Sequence, residues 1–170
     1  MTTSPAAQAA QQFAAYYGAI VTGGAKTLPG STTGHLFTVA GGRVLITSIT
    51  GVVSTVVQAQ ACTVSVGNTP SGGSAATTSI TSASSSISGV AVGTSFAVPQ
   101  FSSGSPAALV FTGASGVLPG VDIGFSLDDG GICLVPAGTI DWTTSATNTG
   151  AVIWTIGYVP YDAGATVTAL

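Results

Sequence analysis

Few residues in this chain have the chemistry for catalysis. It has one histidine, His35, two cysteines, Cys62 and Cys133, and five acidic residues, all aspartate. Covalent catalysis needs a hydroxyl or thiol whose proton a positioned base can take. Ser and Thr abound, but no Ser sits in a GxSxG elbow. His35 stands beside Gly34 at the start of a strand-like run. That position reads as a structural or exposed histidine, not as a base. Cys62 lies inside an apolar run, where a thiol is inert.

Paired carboxylates fare no better. Asp128 and Asp129 are adjacent and precede Gly130-Gly131. On a strand they would point apart, so the pair reads as turn chemistry. A calcium site there would lack the spaced oxygen ligands of a calcium loop. Asp122, Asp141 and Asp162 are scattered. Two Cys and one His do not make a zinc site. The glycines form neither GxGxxG nor GxxxxGK[ST], so no phosphate cradle is encoded. Trp142, Trp154 and the tyrosines could line a sugar-binding face, but aromatics on strands more often fill a core or a subunit contact. These residues imply no enzyme, no cofactor and no metal.

Charge narrows the partners. Only 4% of the residues are charged, and Lys26 and Arg43 are the two cations. About a quarter of an ordinary soluble domain is charged. Two cations cannot build a face for a phosphate backbone or an anionic membrane, so nucleic acid and membrane are both excluded as partners. A surface with so little charge repels its own copies weakly, which suits a protein held inside an assembly. A secreted Ser/Thr/Gly-rich domain is the plainer alternative. The start of the chain lacks a basic, strongly apolar leader, so folding in the cytoplasm of the producing cell is expected.

The elements that must carry these residues are strands. Leu36 to Val66 is rich in Val, Ile and Thr, and its apolar residues include Val44, Ile46, Ile49, Val52, Val53, Val56 and Val57. This predicts two or three long strands, with Gly41-Gly42 and Gly51 as turns or bulges. Further strands are expected at Val90–Val98, Ala107–Thr112, Val121–Leu127, Ile132–Val135, Thr139–Thr143 and Ala151–Val159. Turn signals every ~8–12 residues mark an antiparallel sandwich or jelly-roll-like barrel. Gly67 to Gly89 is Ser-rich and chargeless, and reads as an exposed excursion. Pro160 to Leu170 reads as a tail.

The first 34 residues read as a helix and linker arm, and residues 35–170 as a single β domain. Ser4-Pro5 can cap a helix that Gly18 stops. Phe13, Tyr16 and Tyr17 then share one face at i, i+3 and i+4. This helix could pack on its own sheet, reach a neighbouring subunit or fray. Ala19 to Gly34, with Lys26, reads as linker. Phe13, Tyr16, Tyr17 and Lys26 are the candidate contacts to other subunits or to a lattice.

Three stretches carry a resemblance. They are LFTVAGGRVLITSITGVVSTVVQAQA (Leu36–Ala61), VPAGTIDWTTSATNTGAVIWTIGYVPYDAGATVTA (Val135–Ala169) and, more weakly, SGVAVGTSF near Ser88–Phe96. Together they resemble small structural proteins of tailed bacteriophages, notably those of actinobacteria. The resemblance implies a non-enzymatic virion component without catalytic residues. It implies a trimeric capsid decoration protein on the head surface, with the major capsid protein lattice and its own copies as partners. The alternative is a tail or adsorption protein that binds host glycan through exposed aromatics.

Overall fold

The computed structural model describes residues 18–72, 76–98, 110–111 and 133–170. The described residues are all-β, in two antiparallel sheets. In order, the strands are β1 (Ala19–Thr27), β2 (Thr33–Ala40), β3 (Val44–Thr55), β4 (Val64–Pro70), β5 (Thr78–Ser79), β6 (Ser95–Ala97), β7 (Val110–Phe111), β8 (Cys133–Val135), β9 (Gly138–Thr144), β10 (Ala151–Pro160) and β11 (Thr166–Ala169). One sheet runs β1-β10-β3-β6-β7, and β8 also pairs with β3. We call it the first sheet. The second runs β11-β2-β9-β4-β5.

The inner faces of the two sheets form one core. Val44, Ile46, Ile49, Val53, Trp154 and Ile156 come from the first sheet, and Leu36, Phe37, Val39, Val64, Val66, Ile140 and Trp142 from the second. Trp142 meets Trp154 edge-on at 5.6 Å between ring centroids, so the two indoles bridge the sheets. Phe96 stacks on Trp154 at 6.0 Å between ring centroids. Such pairs add about 0.5–1.5 kcal/mol each beyond their buried area. Gly51 lies within β3 and is not a turn. A Cβ there would stand 2.9 Å from the Trp154 ring, so the missing side chain makes room for the indole.

Two bulges explain why the apolar pattern is not a plain alternation. The β3–β10 register shifts where Ser48 pairs with Gly157 and Ile46 with Tyr158, which sends both Ile46 and Ile49 inward. The β2–β9 register shifts between His35 and Phe37, which buries both Leu36 and Phe37. A bulge of this kind re-aims side chains without ending a strand.

Several expectations need correction. Ala19–Thr27 is a sheet strand, not linker: it pairs with β10 from Ala19↔Tyr158 to Thr27↔Ala151. The last residues are not a loose tail, since β11 pairs with β2 from Thr166↔Ala40 to Ala169↔Phe37. The Ser-rich stretch is not simply exposed. Ile87 is fully buried, and the hydroxyls of Thr81 and Ser84 accept hydrogen bonds from the Val66 and Val64 amides. Short hydroxyl side chains there do what a neighbouring strand would do along the edge of β4. The expected helix, with Phe13, Tyr16 and Tyr17, lies outside the described residues, as does the expected strand Val121–Leu127.

Candidate functional site

Among the described residues, the second sheet carries the one polar cluster in which a carboxylate is fully buried. Along β9, Ile140 and Trp142 point into the core, so Thr139, Asp141 and Thr143 point outward. Asp141 is nonetheless 0% exposed. Its Oδ1 accepts from His35 Nδ1 at 2.6 Å, and its Oδ2 accepts from the hydroxyls of Thr69 at 2.6 Å and Thr139 at 3.0 Å. Thr77 Oγ1 lies 2.8 Å from Thr69 Oγ1, which extends the chain of hydroxyls. The bulge in β2 sets His35 directly opposite Asp141. On the other side, Gly67 of β4 pairs with Asp141. A Cβ at Gly67 would come within 2.7 Å of the Thr77 methyl, so the glycine lets residues 77–78 close over the carboxylate.

This arrangement stabilises a buried charge. A buried carboxylate is costly unless it is paired and hydrogen-bonded, and here both oxygens are satisfied. It also fixes the His35 ring, whose side chain is 61% exposed. A carboxylate on Nδ1 is the way a general base is oriented. Base chemistry also needs a reacting group at the other ring nitrogen. No hydroxyl or thiol is bonded to His35 Nε2 among the described residues, and the Thr33 hydroxyl is engaged with Thr143 at 3.0 Å. The pair joins β2 to β9, and the Thr69 hydroxyl brings in β4.

A second polar contact closes the ends of the sheets. Arg43 donates Nε and Nη2 to the two carboxylate oxygens of Asp162 at 2.9 and 2.8 Å, and its backbone N–H adds a third bond at 2.8 Å. Its guanidinium also lies 4.7 Å from the Tyr161 ring centroid. Gly42, at φ +140°, leaves room for Asp162: a Cβ there would sit 2.6 Å from the Asp162 Cβ. The Arg43 hydrogen bonds hold the Asp162 carboxyl down at about 2.

The remaining candidates are placed as follows. Lys26 lies on β1, in register with Val152 of β10. Cys62 is buried and Cys133 partly so, and both thiols are free. Burial pushes the Cys133 thiol up to about 12. Trp142 and Trp154 are each 1% exposed and cannot stack on a sugar. Asp128 and Asp129 lie outside the described residues. Among the described residues, no three His, Cys, Asp or Glu side chains gather as metal ligands, and no helix is long and apolar enough to cross a membrane.

Sequence reasoning weighed His35 and Asp141 separately and missed their pairing. The local signal was the run Thr139-Ile140-Asp141-Trp142-Thr143, whose alternation places Asp141 on the outer face. What defines the chain at this point is a two-sheet, all-β protein whose described polar clusters tie strands together. It matches no family model, no curated protein and no solved structure.

Proposed function

We propose that this chain is a non-enzymatic structural subunit of a phage virion, a capsid decoration protein that binds the assembled head shell. The observation that carries this reading is the near-neutral skin of the described residues. Arg43 and Asp162 neutralise each other, and Asp141 is buried against His35. Lys26 is the charged side chain left without an ion-pair partner among the described residues. Such a surface repels neither its own copies nor a protein lattice. The resemblance of Leu36–Ala61 and Val135–Ala169 to small phage structural proteins supports the same reading.

The mechanism is mechanical. Each contact with several shell subunits removes apolar surface from water, at about 25 cal/mol per Å². A protein that binds the assembled shell better than the free shell protein shifts the equilibrium toward the intact shell. The rival reading, glycan capture at the host surface, loses Trp142 and Trp154 as stacking platforms because both are buried.

The test adds purified chain to heads made without it. Saturable binding, with a higher temperature of shell disruption, is the expected result. Absence of binding, or the chain imaged only on tails, would refute the proposal.

A further inference from the structure

The outward faces of the two sheets differ in kind. On the second sheet, cross-strand neighbours Thr168, Thr38, Thr139 and Thr69 form one row, and Thr33, Thr143 and Ser65 another. His35 and Asp141 lie between the rows. That face is covered in hydroxyls and suits water.

The first sheet is the opposite. Val44, Ile46 and Ile49 of β3, Ile156 and Tyr158 of β10 and Val21 of β1 turn to the core. Alternation and the bulges then leave Leu134 of β8, Leu45 of β3 and Val159 of β10 as one outward row. Ile20 of β1 follows at 65% exposure, then a hydroxyl row of Thr22, Thr155 and Thr50. Val52, 44% exposed, and Ile153 complete the face. At one end the row next to Leu45 and Val159 is Arg43 and Tyr161, where the Arg43 charge is paired with Asp162, while Lys26 is in register with inward-facing Val152. An antiparallel sheet facing water ordinarily alternates apolar-in with polar-out. Here large aliphatic side chains stand on both faces of the same strands.

We propose that this outer face is an interface with a second copy of the same chain, packed face to face about a two-fold axis. The proposal rests on the assembly reading above, assigns it a surface, and puts a two-fold contact in place of the trimer that the resemblance implies. Two features favour a second copy. A face whose aliphatic rows carry no charge, and whose end cation Arg43 is already paired with Asp162, meets itself without unpaired like charges opposing, so it is compatible with the self-matching a two-fold contact requires. Its size also suffices. Strands ~4.8 Å apart and ~3.3 Å per residue give a patch of roughly 500–600 Å² per copy. Pairing two copies covers about 1,000–1,200 Å², the lower end for a specific contact. Hydroxyl pairs such as Thr22–Thr155, at 3.0 Å, are already mutually bonded and would enter the interface satisfied.

The test is sedimentation equilibrium of the full chain alone, with Val52→Asp on this face and Thr168→Asp on the hydroxyl face. The wild-type chain is expected to dimerise with a Kd on the order of 10 μM, in keeping with so small an area. Val52→Asp places two carboxylates in the two-fold contact and should raise the Kd at least about tenfold. Thr168→Asp should leave it unchanged. Far-UV circular dichroism and the urea midpoint confirm that both variants remain folded. A monomer at roughly 100 μM, a trimer, or Val52→Asp assembling like wild type would overturn the proposal. Shell binding by a monomeric wild-type chain would reject this interface yet leave the decoration reading standing. Dimerisation through this face without shell binding would do the reverse.

Discussion

Removing the His35 imidazole should expose the cost of the buried Asp141 carboxylate. His35→Ala takes away the donor on Oδ1 and leaves the carboxylate with Thr69 and Thr139 on Oδ2 alone. Breaking a fully buried ion pair costs about 3–5 kcal/mol because the orphaned charge stays behind. A single hydrogen bond to a charged group accounts for about 1.5–3 kcal/mol. The His35 side chain is 61% exposed, so water can reach part of the vacated space, and the lower range governs. The expected loss is about 2–3 kcal/mol, or roughly a 1–1.5 M fall in urea midpoint for a slope of about 2 kcal/mol/M. Asp141→Asn should cost less, about 1–2 kcal/mol, because it removes the charge together with its partner's role and keeps an oxygen for the threonines. The double variant should fall short of the sum of the two, since each change removes the same contact. A His35→Ala midpoint equal to wild type, or strict additivity in the cycle, would refute the idea that His35 is what makes this burial tolerable.

Two further predictions concern titration. Asp162 is held at about 2 when folded, against an ordinary carboxylate value near 3.9, so its clasp with Arg43 contributes stability fully above about pH 4. That contribution is lost as the pH falls through about 2, and Arg43→Gln should flatten this acid limb in pH-dependent melts. Cys133 behaves in the opposite sense. Its folded value of about 12 lies above the ordinary thiol value near 8.5, so stability should fall as the pH climbs between them, and iodoacetamide at pH 8 should label the thiol in urea but not in the native chain. Rapid native labelling of Cys133 would contradict its burial.

The strand content was legible because β propensity and turn residues are local. Leu36 to Val66 resolves into β2, β3 and the start of β4 with Gly41-Gly42 as the turn. The failures have physical causes. Glycine at 23, 24, 30 and 34 reads as linker, yet β1 needs only the β10 backbone beside it, and its bulge between Thr22 and Ala25 absorbs Gly23-Gly24. Gly51 reads as punctuation because a sequence does not reveal that the Trp154 ring will lie against it. The doublets Leu36-Phe37 and Ile46…Ile49 break a two-residue period because each flanks a bulge, and a bulge is defined only by the partner strand. The His35–Asp141 pair joins residues far apart in sequence through the β2–β9 ladder. With strand order unknown, a lone His and one Asp among five give no reason to be neighbours.

A nearly uncharged β protein faces a hazard that a charged one avoids: unpaired sheet edges are templates for indiscriminate pairing. The edges here are managed by geometry. β5 spans two residues and β11 four, too short to offer a ladder. Residues 80–87 also run along β4 and occupy its amides with Thr81 and Ser84 hydroxyls. Among the described residues β1, at nine residues, is the long edge, and it carries both the bulge at Gly23-Gly24 and the cation Lys26. A bulge and a lysine are the two devices that most directly spoil a flat edge. Lys26 therefore has a role at this edge whether or not it also touches a lattice. With edgewise growth blocked in this way, the aliphatic outer face of the first sheet is left as the direction in which this surface favours association, and that direction closes on itself instead of propagating.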